Sequence, residues 1–99
     1  MSTPAPAASA ADAITRLNTL AAELAARGWP TRLDVPAGRA PSLHTRNPEP
    51  GAAALSEDIY AQPRADGTWW FWWPWAQPIA AGPADAAAII TRVLRPASA

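Results

Sequence analysis

The chain has 99 residues, no cysteine, and a net charge of zero from eight basic and eight acidic side chains. That length holds one domain at most, the missing cysteines exclude disulfides and thiolate metal sites, and the charge balance argues against a strongly electrostatic partner such as nucleic acid or an anionic membrane. No apolar run approaches the ~20 residues of a spanning helix. Residues 1–11 have neither a basic start nor a leucine-rich stretch, so they read poorly as a secretory signal and the expected location is cytoplasmic.

All eight basic residues are Arg, which with the Ala and Pro richness fits a GC-rich coding sequence; Arg also stacks and pairs bidentately. Outside the expected tails, roughly 80–85 residues must form one core, near the lower limit of independent stability. Large aromatics must then supply much of the burial. A Trp buries about 150–250 Å², worth at most about 4–6 kcal/mol. Dimerisation is the other common remedy.

Residues 1–11 are rich in Ala, Pro and Ser and are expected to form a tail. A helix is predicted over 12–27, with Ser9 and Asp12 as its start signal. Ile14, Leu17, Ala21, Leu24 and Ala25 form its apolar stripe, widened by Leu20. Gly28 suits a left-handed C-terminal cap, and Trp29 is placed to fold back on the last turn as core.

Pro30 forces an extended exit. A first strand is expected over 31–35 and a second over 42–46, joined by a turn at Pro36-Ala37-Gly38. Alternation puts Leu33, Val35, Leu43 and Thr45 on the inner face, and Arg32, Asp34, His44 and Arg46 on the outer. Residues 47–56 read as a loop with a helical turn near 52–55. A third strand is expected over 57–62, with Ile59 and Ala61 inward and Asp58, Tyr60 and Gln62 outward.

Five of the six tryptophans and the only phenylalanine follow within residues 69–75. Ala65-Asp66-Gly67 before them is a hairpin signal of the three-residue kind ending in a left-handed Gly. If Arg64 pairs with Thr68, then Tyr60 faces Trp72, Ala61 faces Phe71 and Gln62 faces Trp70. Trp69, Phe71 and Trp73 then point inward, and Trp70 and Trp72 outward. A two-residue Asp-Gly loop shifts the register by one and exchanges the ranks. Pro74 suits a strand end, and residues 75–81 read as a connection. A second helix starts at Pro83, carries Ala86, Ile89, Ile90, Val93 and Leu94 as its stripe, and stops at Pro96.

The expected architecture is a single α+β domain over 12–95, with tails at 1–11 and 96–99. It is a two-layer sandwich of order α-β-β-β-β-α, in which two helices cover one face of a four-stranded antiparallel sheet. The other face gathers Arg32, His44, Arg46, Tyr60, Gln62, Trp70 and Trp72. Trp, Tyr and Arg are the types enriched in binding hot spots, so this face is the candidate partner site. The occupants weighed are a protein or a second copy, a single strand stacking its bases on the Trp pair, and a sugar or flat small molecule. The opposing reading is that the chain itself covers this face.

No catalytic, cofactor or metal signature stands out. His44 is the only histidine; Asp34, Asp58 and Ser42 are potential neighbours, but no motif joins them into a catalytic set. Adjacent Glu57 and Asp58 point to opposite faces of a strand. One His without Cys makes an intrinsic zinc site a poor expectation, and the five glycines are scattered rather than gathered in a phosphate loop.

The pattern Leu43-His44-Thr45-Arg46-Asn47-Pro48, then Asp66-Gly67-Thr68-Trp69-Trp70-Phe71-Trp72-Trp73, then a helix ending in Val93-Leu94, resembles a group of small uncharacterised actinobacterial proteins. The resemblance spans roughly residues 14–94. That group is loosely associated with neighbourhoods of helix-turn-helix regulators, so the resemblance implies an accessory or regulatory binding protein, with a transcriptional regulator as one partner. It carries no site residues with it. The element order is also similar to that of small chaperone-like α+β domains, a likeness of fold alone.

Overall fold

The computed structural model describes residues 10–51 and 55–95. Residues 1–9 of the tail expected over 1–11, the tail over 96–99, Ser9 as a start signal, the stop at Pro96 and nearly all of the helical turn expected at 52–55 lie outside the described residues, while residues 10 and 11, also expected in the tail, belong to the first helix. Within them the elements are α1 (Ala10–Ala26), β1 (Thr31–Asp34), β2 (Ser42–Arg46), β3 (Ser56–Pro63), β4 (Trp69–Trp72), β5 (Pro78–Ala80) and α2 (Pro83–Val93). The strands form one antiparallel sheet in the order β1-β2-β3-β4-β5. Each strand is therefore joined to its neighbour by a hairpin or short loop.

Helix α1 starts two residues before Asp12 and buries Ala13, Leu17, Leu20 and Leu24. This stripe is rotated from the expected one: Ala13 is buried, Ile14 half-buried and Ala25 exposed. The three leucines carry most of the apolar area and set the orientation, whereas turning Ala25 outward loses little. The helix ends as the sequence indicated. Gly28 takes φ +80°, its N–H donates to Ala25 O at 2.9 Å, and the Trp29 N–H donates to Leu24 O at 3.0 Å. This pair of bonds satisfies two of the last carbonyls of the helix and leaves Trp29 buried in the core.

The β1–β2 pair has Leu33 opposite Leu43 and Thr31 opposite Thr45. Thr45 is wholly buried and donates its hydroxyl to Pro30 O at 3.1 Å, which ties the start of β1 to β2. Val35 departs from expectation. The strand stops at Asp34, so the alternation that would turn Val35 inward is not continued, and it is 51% exposed. Val93 in the last turn of α2 is likewise exposed; Ala86, Ala87, Ile90 and Thr91 form the buried stripe.

The β3–β4 hairpin has the three-residue loop. Arg64 N donates to Thr68 O at 2.8 Å and Gly67 N to Arg64 O at 2.9 Å, with Gly67 at φ +87°. The register is Tyr60 opposite Trp72, Ala61 opposite Phe71 and Gln62 opposite Trp70. Phe71 and Trp73 are buried, Trp69 packs half-buried against the core, and Trp70 and Trp72 fall on the other face.

The expected four strands are five, because residues 75–81 are not a plain connection. Trp73 N donates to Gln77 O at 2.9 Å and Ala76 N to Trp73 O at 3.0 Å. Ala76 has φ +67°. These are the bonds of the preceding hairpin, with Ala76 in the place of Gly67. Two prolines and a non-Gly residue at the left-handed position conceal this turn in the sequence. Pro78 is accepted because β5 is an outer strand, where one side has no ladder to feed.

The buried residues of both helices join Leu43, Ile59, Phe71, Trp73 and Ile79 of the sheet in one core. Helix α1 packs on β1, β2 and β3, and α2 packs on β5 and on α1. Asn47 closes the arrangement at 2% exposure. Its amide donates to Leu94 O beyond the end of α2 at 3.0 Å, and its Oδ1 accepts from Glu49 N at 2.9 Å. A carbonyl left over at a helix end is thereby satisfied by a side chain 47 residues earlier.

Candidate functional site

The site is built by strand alternation. Residues opposite the core face project from β1 to β4 in rows: Arg32–His44–Asp58, then Tyr60–Trp72, then Gln62–Trp70. Six of the seven sequence-predicted residues divide into two groups, and Arg46 stands apart from both. Tyr60, Gln62, Trp70 and Trp72 form an aromatic block on β3 and β4. Arg32 and His44 belong to a polar block on β1 to β3. Arg46 lies opposite Ser56, four residues along β3 from Tyr60 and so about 13 Å from it. It is therefore a flank of the face and not a neighbour of the tryptophans.

The two outward tryptophans are held differently. Trp72 is half-buried, and its indole N–H donates to Gln62 O at 3.0 Å. That bond crosses to β3 and draws the ring over the sheet, with its one polar atom already satisfied. Trp70 lies beneath the Arg64 guanidinium, 4.8 Å from its ring centroid. A cation over an indole face is favourable by about 0.5–1 kcal/mol at an exposed site. Arg64 was not among the expected site residues. Its place beside Trp70 follows from the hairpin register, which puts it two residues beyond Gln62 on the same side of the chain.

His44 is half-buried and its Nδ1 lies 2.8 Å from Asp58 Oδ1. The two residues are direct cross-strand neighbours, so the contact is a consequence of register. A carboxylate on one ring nitrogen orients the imidazole and fixes its tautomer. Among the described residues no hydroxyl hydrogen-bonds to His44, so the pair positions a ring without presenting a nucleophile. No group of three or more His, Asp or Glu side chains among the described residues is arranged to hold a metal ion.

Trp75, in the segment expected to be a plain connection, is the most exposed aromatic side chain, at 57%. It sits in the loop of the β4–β5 hairpin, stacked on Trp73 with ring centroids 5.3 Å apart and planes 4° from parallel. Its indole N–H donates to Gln77 Oε1 at 2.9 Å. No local sequence signal marks it, because its position depends on a turn that the prolines obscure. A shallow trough of about 550 Å³ is lined by Tyr60, Gln62 and Trp72 of the outer face and by Pro74 and Ala76, the chain neighbours of Trp75.

Fold and face together define a small antiparallel α+β domain, its sheet covered by helices on one side and, on the other, aromatic and not covered by any other described element. The chain matches no known family model, no curated protein and no solved structure. No helix among the described residues is long and apolar enough to cross a membrane.

Proposed function

We propose that this protein is a cytoplasmic, non-catalytic interaction module that binds a protein partner through its open sheet face. The observation that carries the reading is the outward rank of Trp72, Trp70 and Tyr60. No described element of the chain covers it, while the inner rank already fills the core. Zero net charge favours a partner of mixed or neutral surface over a polyanion. Arg64 occupies one face of Trp70, which leaves less of that ring for base stacking and weighs against single-stranded nucleic acid. A transcriptional regulator and a second copy of this chain are both partners of the proposed kind. His44 and Asp58 act in this reading as an oriented polar contact rather than as an acid–base pair.

The test is the double substitution Trp70→Ser, Trp72→Thr. Circular dichroism reports whether the fold survives; sedimentation and quantitative capture from the source cell report self-association and partner binding. Loss of association with the fold intact is the expected result, and unchanged association overturns the proposal.

A further inference from the structure

We propose that the trough over β3 and β4 takes a proline-rich segment of a partner protein in the polyproline II conformation. This rests on the interaction reading above and names the chemistry of its partner. Three observations carry it.

The first is the lining. Tyr60 and Trp72 are direct cross-strand partners on the open face, and Pro63 and Pro74 extend the apolar floor beyond them. The Trp72 N–H is spent on Gln62 O, so that indole offers the trough an apolar face. Such faces pack against pyrrolidine rings, which is how aromatic-lined grooves recognise proline-rich segments.

The second is the polar complement. The Tyr60 hydroxyl and the Gln62 side-chain amide have no hydrogen-bond partner among the described residues. Both can donate. A polyproline II chain has its carbonyls free and turned to solvent, and proline supplies no N–H in return. The one charged residue in the lining, Arg64, is already engaged with Trp70. The trough therefore suits an uncharged acceptor-rich ligand better than a phosphate backbone.

The third is length. The trough runs from Arg64 in one hairpin to Pro74 in the next. Arg64 stands opposite Thr68, so the span runs from Thr68 along β4 and past its end to Pro74, six residue steps or about 20 Å. At about 3.1 Å per residue it accommodates about six residues of polyproline II. Tyr60, Gln62 and Trp72 of the lining lie on the sheet face and the rest at strand ends and in the two hairpin loops; β3 and β4 are each paired on both sides, so a ligand docks by ring packing and not by strand addition.

The test is a titration of the full chain with blocked hexaproline, read by the indole ¹H–¹⁵N resonances, with a blocked glycine–serine hexapeptide as control. The expected result is a saturable shift of the Trp72 indole signal with hexaproline and none with the control. Tyr60→Phe, which leaves the ring in place, weakens the binding about two- to tenfold, the effect of one neutral hydrogen bond. Tyr60→Ala weakens it more. An unmoved Trp72 signal overturns the proposal, as does an equal response to the control peptide. A Trp72 shift produced by Pro4→Ala, Pro6→Ala without any added peptide, in a chain that ignores hexaproline, assigns the trough to the chain's own segment and also overturns it. Where hexaproline fails but the Trp70/Trp72 double variant still loses its partner, only the polyproline assignment falls. Where association survives that variant too, the interaction reading falls with it.

Discussion

Trp75 stacks on Trp73 at a centroid separation of 5.3 Å with the two indoles 4° from parallel, so an exposed ring is fixed by a buried one. The stack is held by a hairpin whose left-handed position is Ala76, φ +67°. In the equivalent place the β3–β4 hairpin has Gly67. An L-residue there costs about 1–2 kcal/mol, against the roughly 0.5–1 kcal/mol that Gly loses through its freer unfolded chain. Ala76→Gly is expected to stabilise the protein by up to about 1 kcal/mol. Trp75→Ala should destabilise it by about 0.5–1.5 kcal/mol, the value of an aromatic pair beyond area burial. Urea unfolding of both variants measures these differences.

The inner and outer ranks of the aromatic run should differ in their response to truncation. Phe71 is 3% exposed in the core, and Phe71→Ala is expected to cost about 3–5 kcal/mol. Trp72→Ser removes a half-buried ring and one hydrogen bond, so it should cost less than Phe71→Ala. Equal losses in denaturant titrations would mean that the outer rank is as much a part of the core as the inner.

Asn47 joins the end of β2 to the end of α2. Asn47→Ala leaves the Leu94 carbonyl without its donor and should cost about 1–3 kcal/mol. Asn47→Asp should be at least as damaging at neutral pH. A carboxylate has no hydrogen to offer Leu94 O, and the substitution introduces a charge at a nearly buried position. Amide exchange in the last turn of α2 should rise in both variants.

Asp66 sets a pH dependence in the β3–β4 hairpin. Its Oδ1 accepts the Thr68 N–H at 2.9 Å, and this backbone bond is the main cause holding its carboxyl below the ordinary value. A depressed folded value means the ionised group favours the folded state. The contribution is present above the unfolded carboxylate pKa of about 3.9 and is lost as pH falls through the lower folded value. Asp66→Asn keeps an acceptor oxygen but does not titrate. The stability difference between wild type and variant should therefore be constant near neutrality and shift in the acid range, against the wild type. Unfolding curves at several pH values check this.

The local signals were legible wherever one residue type answers one backbone demand. Gly28 after a leucine stripe marked the end of α1, and Ala65-Asp66-Gly67 marked a three-residue loop. Read with three residues, that loop puts Tyr60 opposite Trp72 and separates the aromatic ranks, because strand alternation propagates a register from a single turn; the Arg64–Thr68 bond of the structure selects it over the two-residue alternative. The β4–β5 hairpin was hidden for the converse reason. It makes the same bonds through Ala76 and beside Pro74 and Pro78, residues that ordinarily argue against a ladder.

The sequence by itself determined the helices and four of the five strands, since these follow from periodicity and turn chemistry within short spans of chain, but it left two registers for the β3–β4 hairpin and so two assignments of the aromatic ranks. Only the tertiary structure decided what each outward residue touches. His44 meets Asp58 across two strands, Arg64 covers Trp70, Trp72 is pinned to Gln62, Arg46 stands apart, and Asn47 reaches Leu94. The His44–Asp58, Arg64–Trp70 and Trp72–Gln62 contacts need the strand register to be set first, and the Asn47–Leu94 bond, 47 residues apart in sequence, needs the packing that brings the end of α2 to the end of β2.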